Sequence, residues 1–319
     1  MDIKAAKEYL ENNSATLLAG GASGAKVYDI AGEYVLKCVS RAELGEDGRY
    51  ASYRKEALWY QYAGGRKDDP RLAFLPEVCD IYETGEEIFI LMKCYQKILR
   101  SELDTGLLKK IMEVLAAVHT AKIPDFLVRE EGWQNKEKQE ERQEEKANLL
   151  LEEQVKEYVS GWQSVLYEHP GSFSPAPLKE IAEKINRIIR WHAQEKEVLN
   201  HGDFHFDNLL MDKRGNVLIC DWQGVSVGAA SGDLSFFFSR LGADGLNTDI
   251  GRAVSFYVQE FKRLSGKALI PEVICRHMDA ADVITSFVFW HEYLHGSDVG
   301  RVRGIYEKMV DKSQNFCEL

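Results

Sequence analysis

The chain has 319 residues, 45% of them hydrophobic, and a formal net charge of −11. That length can bury a full core and build two lobes, while the acidic balance argues against a broad nucleic-acid surface. The six cysteines (Cys38, Cys79, Cys94, Cys220, Cys275, Cys317) are scattered without a C-x-x-C pair and suggest neither a disulfide framework nor a zinc site, and no apolar run approaches the roughly 18 residues of a membrane span.

Residues 1–8 are mixed in charge and lack an apolar signal core, so a cytoplasmic location is expected. A short amphipathic helix is predicted over 3–12, then a strand over 15–19. The turn Gly20-Gly21-Ala22-Ser23-Gly24 follows, with strands over 26–30 and 34–39. Gly21 and Gly24 permit a tight turn whose backbone can approach phosphate without a Cβ in the way, and Ser23 adds a hydroxyl. The spacing is neither that of a P-loop nor that of a hydrolase nucleophile elbow. Lys37 is the lone lysine of an otherwise apolar strand. A helix over 51–63 sets Tyr53, Ala57 and Tyr60 on one stripe with Glu56 beside it, which makes Glu56 the natural partner of Lys37, with Glu83 or another surface acid as its rival. Strands near 77–82 and 88–92 lead into the connector Met92-Lys93-Cys94-Tyr95.

Beyond residue 95 the pattern is mainly helical. The stripe Leu108, Ile111, Met112, Leu115, Val118 predicts a helix over 107–120 in which His119 is a packing or capping residue. Residues 129–157 are dense in charge, with many i,i+4 acid–base pairs that favour a solvated helix. A helix over about 178–195 precedes His201-Gly202-Asp203-Phe204-His205-Phe206-Asp207-Asn208, with Asp221 downstream in Ile219-Cys220-Asp221-Trp222. The segment from about 246 is helical again. Within it Phe287, Trp290, His291 and Leu294 have the spacing of a core stripe, while Trp290 and Glu292 could form an aromatic and acidic wall.

Asp203, Asn208 and Asp221 are three oxygen-bearing side chains on one loop and the strand pair after it. Phosphoryl transfer needs such a set: a carboxylate to orient a hydroxyl and accept its proton, and two oxygen ligands for Mg²⁺. The alternation of His201, Asp203, His205 and Asp207 also admits a metallohydrolase reading, because alternate residues of an extended segment share a face. Against it, no compensating His/Asp cluster of ligand spacing stands elsewhere in the sequence, and the upstream landmarks go unused.

The pattern H-G-D-x-x-x-x-N with a downstream I-x-D-W resembles the aminoglycoside phosphotransferase and choline kinase families, which are small-molecule kinases. The Gly-rich turn resembles their G-G-x-S-x-x-x-x-Y form. The resemblance implies an α+β, bilobal protein-kinase-like fold. An antiparallel-sheet nucleotide-binding lobe would span 1–93, and a larger helical catalytic and acceptor lobe 94–319. It implies ATP and Mg as cofactors and a small-molecule hydroxyl acceptor, with neither nucleic acid nor membrane as partner. Asp203 would be the base. Asn208 and Asp221 would ligate the metal; Gly21, Ser23, Gly24, Lys37 and Glu56 would serve the phosphates. Met92 and Cys94 would offer their backbones to adenine. His201 would orient the loop, and Asp233 would be scaffold. A catalytically silent nucleotide-binding pseudokinase is the rival reading, opposed by the completeness of Lys37, Asp203, Asn208 and Asp221. A protein kinase is opposed by Gly202 in place of Arg, the short segment after Asp221 and the missing A-P-E. The net charge and the 129–157 stretch favour a cationic acceptor, aminoglycoside-like or an amino alcohol.

Overall fold

The computed structural model describes residues 1–20, 24–44, 49–66, 69–130 and 149–318. The charge-dense run 137–146 expected to be helical therefore lies outside the described residues, as do Gly21 and Ser23.

Chain packing divides the protein into two compact units. Met1–Glu131, Val198–Val227 and Arg240–Ala268 form the first; Gly132–Glu197, Gly228–Ser239 and Leu269–Leu319 form the second. The expected boundary after residue 93 follows the sheet, whereas compactness keeps several later elements in the first unit.

In the first unit, helix α1 (Ile3–Glu11) is capped by Asp2, whose side chain accepts from the Ala5 N–H. Strands β1 (Thr16–Gly20), β2 (Lys26–Ile30), β3 (Tyr34–Ser40), β4 (Val78–Glu83) and β5 (Glu87–Lys93) form an antiparallel sheet in the order β1-β2-β3-β5-β4. Ile3, Ala6, Ile30, Leu36, Phe89 and Leu91 make the core under α1. After the short helix α2 (Arg41–Leu44), helix α3 (Arg49–Gly64) buries Tyr53, Glu56, Ala57 and Tyr60, the stripe read from the sequence. Further on, α4 (Thr105–Thr120) is capped by Asp104 and buries Leu108, Ile111, Met112, Leu115 and Val118. α5 (Asp125–Glu130) is a short helix after it.

β7 (Glu197–Asn200) is a short strand, and β6 (Gln96–Lys97), β8 (Leu209–Met211) and β9 (Val217–Ile219) form a small sheet with β8 in the middle. α4 packs against α9 (Ile250–Ser265), and His119, expected as a packing residue, is buried with Nδ1 2.9 Å from the Tyr257 hydroxyl. β8, β9 and α9 belong to the same unit as the large sheet.

The second unit is helical. α6 (Glu152–Tyr167), α7 (Ala176–His192), α10 (Pro271–Thr285) and α11 (Val299–Gln314) surround a core that includes Trp162, Ile181, Ile185, Phe287, Leu294 and Tyr306. α7 ends at His192, so Glu195 lies in the turn beyond it rather than in the predicted helix. Ser286–Trp290 is a π-helical turn. It buries Phe287, and His291 and Leu294 are buried after it, as the core spacing implied; Trp290, the fourth member of that stripe, is only half-buried against the same core, and Glu292 is exposed. α8 (Ala230–Ala243) carries the buried Asp233 in its first turn. No helix among the described residues is long and apolar enough to cross a membrane.

Candidate active site

β3 is a central strand, pairing Lys37 with Val27 on one side and Ile90 on the other. This fixes the Lys37 backbone and leaves its side chain buried above the Tyr53 ring, 5.0 Å from the centroid. The ammonium meets Glu56 Oε2 at 2.7 Å and Asp221 Oδ1 at 2.7 Å. A desolvated lysine would lose its proton readily. Here burial does lower the pKa, but Glu56 and Asp221 outweigh it, so the group is held above its usual value and stays charged. Glu56 is fully buried, and its other oxygen accepts from the Trp222 N–H at 3.2 Å.

The hairpin of β8 and β9 sets the rest. Asp212 accepts from the N–H groups of Arg214 and Asn216, both at 2.8 Å, and Gly215 takes a positive φ of 79°, which closes a tight turn. Pairing of Leu209 with Ile219 then brings Asn208 opposite Cys220, whose N–H donates to the Asn208 carbonyl at 3.0 Å. Asp221 follows in the left-handed region, at φ 65° and ψ 65°. Burial opposes its ionisation; Lys37 nonetheless holds its carboxyl below the usual range. Gln223 Nε2 also donates to Oδ1. Oδ2 has no partner among the described residues.

Asp203 and Asn208 are bound to each other: Asn208 Nδ2 donates to the Asp203 carbonyl at 2.9 Å and lies 3.3 Å from Oδ2. The Asp203 side chain is 46% exposed, so its carboxylate is open to an incoming group. His201 is buried. Its Nε2–H donates to the Cys220 carbonyl at 3.0 Å, and Nδ1 accepts from the Asp203 N–H at 3.3 Å. That pair of partners fixes a neutral tautomer and ties the loop to the strand end. His205 lies between the two candidate groups, with Nε2 3.2 Å from Asn208 Nδ2 and 3.4 Å from Asp203 Oδ2.

Several supports lay outside the sequence reading. Arg100 forks onto Asp207 at 2.7 and 3.0 Å and reaches Asp244 at 2.7 Å, which makes Asp207 a loop anchor. Gly202 has φ 81°, and a Cβ there would stand 2.0 Å from the Gly224 carbonyl oxygen. A Cβ on Gly224 would in turn stand 2.9 Å from the Gly202 carbonyl carbon. The two loops thus meet backbone to backbone, and Gly in H-G-D is a steric requirement here. Gly24, at φ 88°, is the described part of the Gly-rich turn; a Cβ would meet Leu44 Cδ2 at 2.6 Å.

Lys37, Glu56, Asn208 and Asp221 line one cavity of about 490 Å³ together with Met92 and Cys94. Val27, Val35 and Leu210 give it apolar walls. The Cys94 N–H donates to the Glu33 carbonyl at 2.9 Å, and the Lys93 N–H to Glu77 at 2.9 Å. A cavity of this size suits a small organic ligand. One fixed cation beside it suits phosphate, and hard oxygen donors with an open carboxylate oxygen suit Mg²⁺.

A model of the phosphotransferase enzyme family matches residues 14–266. The chain belongs to this family. Solved structures agree on the fold. The ADP-bound aminoglycoside phosphotransferase APH(2'')-Ib is 16% identical, with 96% of each chain covered and a TM-score of 0.54. Plasmodium vivax ethanolamine kinase is 11% identical over 95% of this chain and 83% of its own, with a TM-score of 0.57. An amicoumacin kinase, solved with AMP-PNP and Ca²⁺, is 11% identical over 96% and 93%, at 0.53. No sequence among the curated proteins matches the chain. The chain has the α+β, protein-kinase-like fold of this family, with an antiparallel sheet toward the N-terminus and helices toward the C-terminus.

Proposed function

We propose that this phosphotransferase moves the γ-phosphoryl group of ATP, in a Mg²⁺-dependent reaction, onto a hydroxyl of a small molecule. The observation that carries the reading is the buried Lys37, bridging Glu56 and Asp221 at 2.7 Å each on the wall of the 490 Å³ cavity. Residues 1–93 act as the nucleotide-binding lobe and 94–319 as the catalytic and acceptor lobe. Lys37 lays its charge on the α- and β-phosphates, held in place by Glu56. Gly21, Ser23 and Gly24 serve the phosphates, and Met92 and Cys94 contact adenine. Asn208 and Asp221 hold the metal, which when bound neutralises phosphate charge. Asp203 orients the acceptor hydroxyl and takes its proton late, as the new P–O bond forms. His201 positions that loop, and Asp233 is scaffold. An amine-bearing acceptor is favoured by the net charge of −11, since carboxylates around a cleft concentrate cations.

Asp203→Ala tests the assignment. Acceptor-dependent ADP release should fall by about 10³-fold or more, while ATP should still raise the melting temperature as in the wild type. Normal turnover by that variant would remove Asp203 from the reaction. A screen of cationic and neutral hydroxyl compounds at two salt concentrations tests the acceptor class, because an amine should bind more weakly as salt rises. A neutral sugar turned over without salt dependence would refute the amine and leave the reaction standing.

A further inference from the structure

The helical second unit contains a side-chain group that phosphoryl transfer does not use. His192, Glu195 and His277 each offer one ligand atom, and these atoms lie within 4.8 Å of one another. Among the described residues no other group of three His, Cys, Asp or Glu side chains has this property. His192 closes α7, Glu195 follows three residues later, and His277 sits inside α10. No sequence spacing reveals the set, because its third member comes from a distant helix.

The arrangement is incomplete as a protein-only hydrogen-bond network. His277 is 6% exposed, and among the described residues neither its Nδ1 nor the buried Nδ1 of His192 has a hydrogen-bond partner. Buried polar atoms are nearly always satisfied, so two orphaned imidazole nitrogens on rings 5.8 Å apart call for a ligand. Glu195 Oε2 stands 3.7 Å from His277 Nδ1. That is close to the edge of a tetrahedron with bonds of roughly 2.0–2.2 Å, which is roughly 3.4 Å. The carboxylate is already fixed at the start of α8, with Oε1 3.0 Å from the Ser231 N–H, Oε2 2.5 Å from the Ser231 hydroxyl, and the Ala230 N–H beside it. Of roughly four acceptor positions on a carboxylate, one is left for the cluster. Trp191 stacks on the His277 ring at 4.0 Å and holds its plane. A cavity of about 390 Å³ has His192 and Glu195 on its wall and supplies an entry path.

Packing alone would account for buried histidines, but not for two unpartnered nitrogens beside a carboxylate in a group whose ligand atoms lie within 4.8 Å of one another. We propose that His192 Nδ1, His277 Nδ1 and Glu195 Oε2 bind one divalent cation of the Zn²⁺ class, with a fourth position open to the cavity. Two imidazoles and one carboxylate form a borderline donor set that selects Zn²⁺ or Co²⁺ over Mg²⁺ or Ca²⁺. The ion would clamp the end of α7 to α10 and, through Ser231, to the start of α8.

The test uses the full chain, freed of metal by chelation and titrated with Co²⁺ and Zn²⁺ without nucleotide or Mg²⁺. One ion per chain should bind, giving the visible absorption of a four- or five-coordinate Co²⁺ without thiolate charge-transfer bands, and Zn²⁺ should raise the melting temperature. His192→Ala and His277→Ala should each weaken binding by about 100-fold or more, and Glu195→Gln by about tenfold. X-ray absorption of the Zn²⁺-loaded wild type decides the matter even if a variant fails to fold, and imidazole with oxygen ligation is expected. Sulfur ligation, an all-oxygen shell, no binding, or folded histidine variants that bind like the wild type would each overturn the proposal.

Discussion

Each unit places a lysine between two carboxylates, yet only one of the two arrangements is open to a ligand. In the first, Lys37 pairs with Glu56 and Asp221, and Asp221 Oδ2, on a cavity wall, has no partner among the described residues. In the second, Lys312 pairs with Asp279 at 2.9 Å and with Asp282. Asp282 is saturated by protein: Ser235 and Ser239 donate to Oδ1, while Lys312 and Lys308 meet Oδ2. Burial and charge pairing are common to both. Unfilled acceptor capacity beside a cavity separates a candidate site from a structural clasp.

Breaking the first arrangement should have the largest effect. Lys37→Met should cost about 10²–10³-fold in kcat/KM by removing a fixed cation from the phosphates. It should also lower stability by about 3–5 kcal/mol, because Glu56 is left buried and unpaired. Adding Glu56→Leu should recover most of that stability in denaturant titrations and none of the activity. Recovery of both would show the pair to be a clasp like the second one. Gly202→Ala ranks next. Its Cβ would collide with the Gly224 carbonyl, so a loss of at least about 3 kcal/mol is expected by thermal melting, together with loss of turnover.

Asp282→Asn sharpens the comparison from the other side. Lys312 keeps Asp279 and is about one-fifth exposed, so the cost at pH 7 should be about 2–3 kcal/mol, with turnover per folded molecule unchanged. Burial opposes ionisation of Asp282, but Lys312 and Lys308 hold its pKa below the usual range. A carboxylate depressed in the folded state contributes fully above the unfolded value of about 3.9 and loses that contribution as pH falls through the folded one. The gap between wild type and variant should therefore close on acidification below about pH 4. The smallest effect belongs to Asp207→Asn. Both its side chain and that of Arg100 are substantially exposed, so about 0.2–1 kcal/mol is expected in urea titrations, shrinking with salt.

Much of the first unit was legible because its signals are local. Strand alternation, the α3 stripe and the spacing from Lys37 to Glu56 each depend on near neighbours, and the 2.7 Å contact followed. The order His201, Asp203, Asn208, Asp221 was readable because a short hairpin brings these residues together. Contacts made only in three dimensions left no such trace. Arg100 reaches Asp207 and Asp244 across more than a hundred positions, and the Gly202–Gly224 contact is between backbones. The grouping of His192, Glu195 and His277 left no trace for the same reason, since its third member comes from α10 and the set has no ligand spacing in the sequence. Compact packing likewise cut the chain differently from the sheet boundary, through the burial of α4 against α9.

The left-handed backbone of Asp221 limits how the chain can drift at that position. Only glycine, asparagine and aspartate enter this region without a cost of roughly 1–2 kcal/mol, and of these only aspartate brings a negative charge to Lys37. Two unrelated demands, one of backbone shape and one of electrostatics, therefore converge on a single residue type. At Glu56, which sits in an ordinary helix, only the electrostatic demand applies. Of the two acids that grip the same lysine, Asp221 has the narrower evolutionary latitude.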